Sequence, residues 1–316
     1  MTIANMLKDL GGYQRDFIGE KYIVPFPRLS EEQKKEVAFL KGSDEDHILH
    51  YQNYSVVQHK KRKFPFYTAS NIDGALFKKL KRKDRWRLEP RINRKHQWGN
   101  ELYKAEKSDF DKGHMTKRED VQWGNTDEEA RKGADLTFFY TNAVPQVGRL
   151  NRRIWRLLED YILKKETMER GLKINMFTGP VLNDDDPIFK TTVNGDNQIR
   201  IPTLFWKVIY FRRDSDGKMY KVGFLMGQEE LLEQSGIVFP RDESRDVFME
   251  FKKADTYQVS LATIQDLTNI QFPPAYELYK KADATVLTKI VERVQARDVL
   301  EGEGNRLAYE IEGLTL

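Results

Sequence analysis

Short segments rich in aromatic and β-branched residues predict that strands make up much of this chain. The clearest pair is Thr203–Phe211 and Lys218–Met226, and the turn sequence Asp214-Ser215-Asp216-Gly217 between them favours a β-hairpin. Shorter strands are predicted at four other places, over residues 55–57, 64–68, 136–141 and 173–177. The chain is therefore expected to contain a sheet that is built in part from hairpins.

Capping residues and apolar residues at helical spacing predict four helices. Ser30 with Gln33 forms one capping-box pattern and Thr126 with Glu129 forms a second. A third segment places apolar residues on one side of a helix. The predicted helices cover residues 31–41, 127–133, 149–164 and 284–299.

The size and composition of the chain exclude several classes of protein. With 316 residues, 39% hydrophobic content and no repeat or low-complexity linker, the chain can form one large domain with additional segments. The absence of cysteine excludes disulfides, a thiol nucleophile and Cys-ligated zinc. No signal peptide or membrane span is visible, so a cytoplasmic protein without a membrane partner is expected, with export by a non-classical route left open.

Positive charge is concentrated in one segment, although the net charge of the chain is only +4. Residues 78–95 contain ten lysines and arginines against Asp84 and Glu89, which gives a local net charge of +8. Trp86 lies inside this run and Trp98 follows it. Basic side chains interleaved with aromatic rings suit a phosphate backbone and exposed bases. The alternative is a solvated charged surface over two core tryptophans.

Residues 110–114, with the sequence Phe-Asp-Lys-Gly-His, contain the strongest candidate for chemistry. Hydrolysis of a phosphodiester needs a base to activate water, a cation to offset the developing negative charge, and positive side chains to hold the strand. His114 follows Gly113 in a predicted turn between strand-like segments, and a neutral imidazole can accept a proton near pH 7. A structural histidine is the alternative.

Three polar residues downstream could complete such a site. The amide oxygen of Asn151 is a hard donor that Mg²⁺ accepts, and Glu159, eight residues later, lies about two helical turns along on the same side. Glu159 could then hold metal-bound water. The alternatives are a helix N-cap for Asn151 and a surface ion pair for Glu159. Asn142, nine residues before Asn151, either holds the site or the scissile phosphate by hydrogen bonds, or forms a turn.

Several ordered blocks of this sequence together resemble the DNA/RNA non-specific endonucleases of the ββα-metal superfamily. The resemblance implies an α+β fold with a central, mainly antiparallel sheet, flanking helices and a ββα unit at the active site. It covers residues 51–270, and leaves 1–50 as an N-terminal extension and 271–316 as a C-terminal helical elaboration. The blocks are Asp111-Lys112-Gly113-His114, Asn142-x-x-Pro145-Gln146, Leu150-Asn151, Glu159 and Phe177-Thr178-Gly179-Pro180.

The resemblance also implies the roles of the site residues. His114 would be the general base, with Asp111 fixing its turn and Gly113 permitting the backbone geometry of that turn. Asn151 would bind Mg²⁺, for which Mn²⁺ could substitute, and Glu159 would support the water cluster around the metal. The expected activity is cleavage of DNA and RNA to products with a 5′-phosphate and a 3′-hydroxyl.

Lys112 is the clearest departure, because the family usually has arginine at this position. Lysine keeps the positive charge but loses the planar fork that matches phosphate. Lys112 is still expected to act on the phosphate, as is Arg85 or Arg87, one of which could correspond to a second arginine of the family. Single- and double-stranded DNA and RNA are the predicted partners, and a homodimer is common in the family.

Two further expectations follow from the resemblance. A nuclease without an export signal endangers the genome of its own cell, so an inhibitor or an activator is expected, acting through residues 1–50 or 271–316. The alternative function is a module with a nuclease-like fold that binds nucleic acid without cutting it. Lys112 is the one sequence feature that favours this alternative, and metal-dependent cleavage separates the two.

Overall fold

A computed structural model describes the chain over residues 3–148, 167, 171–239, 251 and 253–280, together with the backbone of the short strands 285–286, 288–290 and 309–311. The predicted helix over 149–164, with Asn151 and Glu159, lies outside the described residues.

Helices in the described part of the chain are short and lie around a sheet. The second of them is capped by Ser30 and the fourth by Thr126, each through the predicted capping box. None of the described helices is long and apolar enough to cross a membrane. The helices are α1 (Ile3–Met6), α2 (Glu31–Lys34), α3 (Asn100–Tyr103), α4 (Asp127–Leu136), α5 (Glu229–Ser235) and α6 (Leu261–Thr268).

In the described part of the chain, a central sheet of nine strands organises the fold. The strands are β1 (Ile48–His50), β2 (Tyr54–Gln58), β3 (Pro65–Asp73), β6 (Lys173–Pro180), β7 (Leu204–Arg212), β8 (Met219–Gly227), β9 (Thr256–Val259), β10 (Tyr276–Glu277) and β11 (Thr285–Val286). They pair in the order β1-β2-β3-β6-β7-β8-β9-β11, and β10 also pairs with β8. All pairs are antiparallel except the one between β10 and β8. The α+β class with a mainly antiparallel sheet is thus confirmed.

Both faces of the sheet are buried, because its central strands carry apolar residues at successive positions. In β7, Phe205 and Ile209 enter one core cluster, whereas Trp206, Val208 and Tyr210 enter the other. Side chains alternate between the two faces of a strand, so this continuous apolar run serves two cores. The sheet is therefore a rigid layer between two packed faces.

A separate two-stranded antiparallel sheet packs on the face of the central sheet that contains Phe205 and Ile209. It consists of β4 (Phe110–His114) and β5 (Ala143–Val147), which pair antiparallel. It is called hairpin β4–β5 below, although residues 115–142 join its two strands. Gln228, directly after β8, anchors β5: its amide oxygen accepts from the Val147 N–H at 3.0 Å, and its Nε2 donates to Pro145 O at 3.1 Å. The hairpin is thus fixed to the end of a central strand. A third sheet pairs β12 (Thr288–Ile290) with β13 (Tyr309–Ile311).

Residues of the predicted N-terminal extension contribute to the core. Tyr13, Val24 and Val37 are buried in the cluster on the other face of the sheet, and the Tyr13 hydroxyl donates to Val24 O at 2.8 Å. Tyr67 of β3 donates to Pro27 O at 3.0 Å, which ties this segment to the sheet. The predicted domain boundaries at residues 50 and 270 stay predictions.

Three secondary-structure predictions differ from the structure. The helix predicted over 31–41 ends at Lys34, because the chain then pairs with the end of β2, where the Ala38 N–H donates to Gln58 O at 2.8 Å. The strand predicted over 136–141 is the end of α4, a turn and a 3₁₀ turn, since its aromatic residues are buried by tertiary packing. The helix predicted over 284–299 is wrong at the residues described there, which form β11 and β12.

Candidate active site

Hairpin β4–β5 presents Lys112 and His114 on one face. Residues two apart in a strand point the same way, and both side chains approach Trp86: the Lys112 Nζ lies 6.0 Å and the imidazole 4.7 Å from the centre of its rings. The backbone beside Trp86 is fixed, because the Arg87 N–H donates to Phe138 O at 2.9 Å. A lysine and a histidine are thereby held against one partly exposed tryptophan.

The surroundings of His114 keep its imidazole neutral. Trp86 covers one side and the Phe138 ring meets the imidazole edge-on at 5.1 Å. Burial, reinforced by the positive charges of Arg82 and Arg118 and opposed by Asp84, lowers the pKa of His114 to about 3. Its Nε2 is buried and has no hydrogen-bond partner among the described residues. The other four histidines of the chain each use Nδ1 in a hydrogen bond, and they are His47, His50, His59 and His96.

Lys112 is held in an aromatic and cationic environment. Its Nζ lies 5.4 Å from the ring centre of Tyr103, in addition to its approach to Trp86. Burial and the nearby Lys104 lower the pKa of Lys112, and Asp111 opposes this shift. An anionic ligand would stabilise the Lys112 ammonium beside the like charge of Lys104, so this position suits a phosphate.

Asn142 holds the loop that follows His114. It is fully buried, its Oδ1 accepts from the Thr116 N–H at 2.8 Å, and its Nδ2 donates to Thr116 O at 2.9 Å and Thr137 O at 3.0 Å. The Met115 N–H also donates to Asn142 O at 2.9 Å. Asn142 also ends the 3₁₀ turn Tyr140–Asn142 directly before β5, so it both forms a turn and holds this loop, and its role in the site stays a prediction.

A glycine is needed at position 113 because a neighbouring side chain leaves no room for a Cβ, and not because the backbone turns there. Residues 111–114 were predicted as a turn fixed by Asp111, but they belong to strand β4, where Asp111 pairs with Gln146. Gly113 does not adopt a positive φ, whereas a Cβ at this position would lie 2.2 Å from Oε1 of the fully buried Gln146. The predicted role of Gly113 in turn geometry is therefore wrong, and close packing against Gln146 replaces it.

The two arginines proposed for substrate binding differ in their contacts. Arg85 is exposed, and the described residues offer it no hydrogen bond or ion pair. Arg87 is half-buried and donates through its guanidinium to Asp135 O at 3.3 Å, and burial lowers its pKa. Arg87 thus connects its segment to the end of α4, while Arg85 is available to a ligand.

Three residues important to this region were not selected from the sequence. Trp86 was noted only as part of the basic run, although it contacts both His114 and Lys112. Gln228 fixes β5, and Arg118 is buried within the loop after His114. Arg118 lies four residues beyond the Gly-His pair, which is the only sequence signal that could have found it. Among the described residues, no group of three His, Asp or Glu residues could hold a metal ion.

Comparison with known proteins identifies the class. The family model for DNA/RNA non-specific endonucleases matches residues 37–277. Since this match covers most of the chain, the protein belongs to the DNA/RNA non-specific endonuclease family. The chain is 32% identical over 278 residues to the uncharacterised protein y4fB of Sinorhizobium fredii, covering 85% of this chain and 40% of that protein.

Endonuclease G is a further relative in sequence and in fold. Human mitochondrial endonuclease G is 29% identical over 130 residues, which cover 39% of this chain and 40% of the relative. The chain spans about two fifths of the length of these curated relatives. The crystal structure of the EndoG/EndoGI complex, which concerns the mechanism of EndoG inhibition, matches with a TM-score of 0.51 and 20% identity. That match covers 72% of this chain and 85% of the solved one, and it supports the fold.

Proposed function

We propose that the protein is a metal-dependent endonuclease that hydrolyses phosphodiester bonds in DNA and RNA without regard to the sugar. His114 acts as the general base, and Lys112 and Arg85 bind phosphate. The products carry a 5′-phosphate and a 3′-hydroxyl. Family membership supports the nuclease class, and the arrangement around His114 supports its role.

The observation that carries this proposal is the neutral imidazole next to a cation on one face of the hairpin. Because burial and nearby arginines lower the pKa of His114 to about 3, the imidazole is unprotonated at neutral pH and can accept a proton. His114 takes the proton of the attacking water while the new P–O bond forms. The bond from phosphorus to the 3′-oxygen breaks, and that oxygen gains a proton from solvent.

Lys112 and Asn142 serve this step in different ways. The ammonium of Lys112, on the same face as His114, binds a phosphoryl oxygen, as a point charge without the fork of an arginine. Asn142, whose amide is fully used in bonds to Thr116 and Thr137, positions the loop after His114 and does not touch the phosphate.

The residues available fit a hard divalent cation. Asn151 and Glu159 would supply an amide and a carboxylate oxygen, which suit Mg²⁺ or Mn²⁺ with water as the remaining ligands. Gln146, five residues before Asn151, has both amide atoms buried without a partner in the described part of the chain, as expected where a hydrated ion completes the site. When bound, Mg²⁺ supplies positive charge that offsets the charge building on the phosphoryl and leaving oxygens.

The proposal is tested by incubating plasmid DNA and RNA with the purified protein and Mg²⁺, with EDTA, and with His114→Ala. His96→Ala is the matched control, since His96 lies in another segment, where its Nδ1 bonds to Lys60 O at a distance of 3.1 Å. Cleavage that both EDTA and His114→Ala abolish, and that His96→Ala retains, is the expected result. Salt-sensitive binding without cleavage by the wild type would favour the non-cleaving module instead.

Partners of the proposed nuclease are also inferred. The substrates are DNA and RNA. The protein is also proposed to form a homodimer and to be restrained by an inhibitor or triggered by an activator. Sedimentation of the purified chain tests the first of these two proposals, because it measures the oligomeric state. For the second, residues 1–50 are kept, because Tyr13, Val24 and Val37 pack in the core. Deletion of residues 288–316, which contain the separate sheet β12–β13, is expected to change activity or assembly, and a deletion that changes neither would contradict restraint through this segment.

A further inference from the structure

The basic run of the sequence divides into two halves with different contacts. Residues 78–85, here called the basic arm, contain six lysines and arginines and one acidic residue, Asp84, which gives a net charge of +5. The residues 79, 81, 82, 83 and 85 are exposed. Within the described residues, Lys79, Lys81, Lys83 and Arg85 have no ion pair, whereas Arg82 pairs with Asp84 at 2.6 Å. With respect to the described residues, the arm therefore presents to solvent four cations that have no ion pair.

The arginines of the second half have partners within the protein, whereas Lys95 of this half is exposed and has no ion pair in the described part of the chain. Arg91 forms a two-pronged pair with the buried Glu89, with both N–O distances 2.9 Å, and donates to His50 O at 2.8 Å. Arg94 pairs with Glu101 at 2.6 Å. These arginines form a structural clamp, and four of the five exposed cations of the run that have no ion pair among the described residues lie in the basic arm.

The basic arm is fixed at three points, although it contains no helix or strand. At its start, the Lys78 N–H donates to Gln122 O at 3.1 Å. In its middle, the Arg118 guanidinium donates to Leu80 O at 3.1 Å and to Lys81 O at 3.3 Å. Directly after it, the chain is anchored to residues 138–140 through the backbone of Arg87.

These anchor points follow His114 in the chain, and one of them, Phe138, contacts its ring. Gln122 and Arg118 belong to the segment that follows His114, and Phe138 is the ring that meets the imidazole edge-on. The Arg82 guanidinium lies 5.8 Å from the centre of the Phe138 ring. The basic arm thus runs beside the proposed active site, close enough for Arg82 and Asp84 to affect the pKa of His114.

Arg118 is built to hold the basic arm. It is only 4% exposed, and its guanidinium reaches backbone carbonyl groups 37 and 38 residues away in the chain. Its Nε is buried without a partner in the described part of the chain. Burying an arginine is costly unless its donors are used, so these bonds to the arm account for most of its satisfied donors.

We propose that the basic arm is a second binding surface for the polyanionic backbone, beside the scissile phosphate, and that Arg118 is the positioning residue that holds it there. This inference rests on the proposed nuclease function. It assigns to the arm the binding of flanking phosphates in long substrates. It predicts that a small phosphodiester, which has no flanking phosphates, gains little from the arm.

The first test removes the charge of the arm by the triple substitution Lys79→Gln, Lys81→Gln and Lys83→Gln. Affinity for a 30-base-pair DNA is measured at several salt concentrations in a His114→Ala background. The slope of log affinity against log salt is expected to fall by about 2 to 3, since each neutralised phosphate contributes about 0.9. The matched control substitutes glutamine for three exposed lysines elsewhere that have no ion pair among the described residues, Lys8, Lys21 and Lys41, and its slope is expected to equal that of the parent.

The second test compares long DNA with thymidine 5′-(p-nitrophenyl phosphate), a small phosphodiester. Arg118→Met is expected to raise KM for long DNA on the order of threefold to tenfold at low salt, with a smaller change on the small diester. Arg118→Lys is expected to recover part of this loss, because an ammonium can donate to one of the two carbonyl groups. Thermal unfolding of each variant shows whether it is folded, and the triple variant decides the case if Arg118→Met is not.

The outcomes separate this inference from the proposed function. A slope that the arm substitutions change no more than the control substitutions would overturn the inference while cleavage stands. An equal loss of kcat on both substrates in Arg118→Met, with KM unchanged, would overturn the positioning role. A wild type that binds DNA through the arm but does not cleave it would contradict the nuclease and leave the binding surface supported.

Discussion

The turn between β2 and β3 and the hairpin β4–β5 each enclose one histidine whose protonation is suppressed. Burial and Arg62 lower the pKa of His59 to about 4, and burial with Arg82 and Arg118 lowers the pKa of His114 to about 3. The two rings differ in what their nitrogens do. His59 Nδ1 accepts from the N–H groups of the turn, at 3.2 Å and 3.4 Å, and its ring stacks on Phe66 at 4.5 Å.

His114 makes no comparable bond through its buried Nε2 within the described residues, and it lies beside a lysine and an exposed cationic segment. A low pKa alone therefore does not identify a catalytic histidine. The two histidines differ in whether a ring nitrogen already accepts hydrogen bonds from the backbone around it. The predictions that follow test this difference, beginning with the largest effect.

Removal of each imidazole is expected to affect cleavage very differently. His114→Ala should lower kcat on plasmid DNA by about 10²- to 10⁴-fold, the usual contribution of a general base. His59→Ala should leave kcat within a few fold, because its ring bonds to its own turn. Quantitative nicking assays under single-turnover conditions measure both. Equal losses in the two variants would remove the distinction between the regions.

Asn142 should be the most sensitive buried polar residue in the hairpin region. Asn142→Ala removes the partners of the Thr116 N–H and of two carbonyl groups, so the free energy of unfolding should fall by about 2–4 kcal/mol. Urea denaturation measures this change. Asn125→Ala, at an exposed asparagine, is the control and should have little effect. A loss for Asn142→Ala no larger than that of the control would argue against its positioning role.

Gly113→Ala should damage the same region through crowding, since the new methyl group would meet the buried Gln146. Overpacking of this kind lowers the free energy of unfolding by about 1–3 kcal/mol, and the rate of DNA cleavage should fall as well. Gly11→Ala is the control, because its Cβ would have an ordinary neighbour at 3.4 Å. The unfolding midpoints of the two variants provide the comparison, and equal midpoints would show that the strand can shift to make room.

Removal of the His59 imidazole should lower the free energy of unfolding more than removal of the His114 imidazole. His59→Leu leaves two turn N–H groups without their acceptor and is expected to cost about 1–2 kcal/mol. His114→Leu removes a buried nitrogen that lacks a partner in the described part of the chain, so its cost should be smaller. Chemical denaturation at pH 7.5, where both imidazoles are neutral, gives the ranking. The reverse ranking would contradict the proposed division of roles.

The smallest effect concerns pH. Both histidines have a lower pKa in the folded state than their ordinary value of 6.5, so the unfolded state binds more protons below that pH. Stability should therefore decline as pH falls from about 6.5, and the contribution of His59 should level off below about 4. Denaturation curves of the wild type and His59→Leu across this range test the sign. A steeper decline in the variant than in the wild type would contradict it.

Local signals predicted much of the fold, and tertiary contacts account for the remainder. The capping box at Thr126 and the hairpin between β7 and β8 are short-range features, and both are confirmed. The strand predicted over 136–141 failed because Phe138 and Phe139 are buried by neighbours distant in sequence. The helix from residue 31 ends early for a similar reason, since pairing with the end of β2 replaces its next turn.

The candidate site shows the same limit. His114 and Lys112 share a short motif, so their proximity on one strand could be predicted. Trp86 contacts His114 from 28 positions away and Arg118 bonds to Leu80 from 38 positions away, and no local pattern encodes those contacts. The division of the basic run into a free arm and a clamp depended on which arginines found partners, which composition does not reveal.

Chemical rescue of His114→Gly is the most direct test of the proposed general base. Added imidazole should restore part of the cleavage of plasmid DNA in Mg²⁺, and the restored rate should increase as the pH rises through about 7 and imidazole loses its proton. DNA affinity, measured in parallel, should match that of the wild type, and the variant should still unfold cooperatively above the assay temperature, although at a lower midpoint. A folded variant that binds DNA but gains nothing from imidazole, or one that cleaves at the wild-type rate without it, would contradict the role of His114.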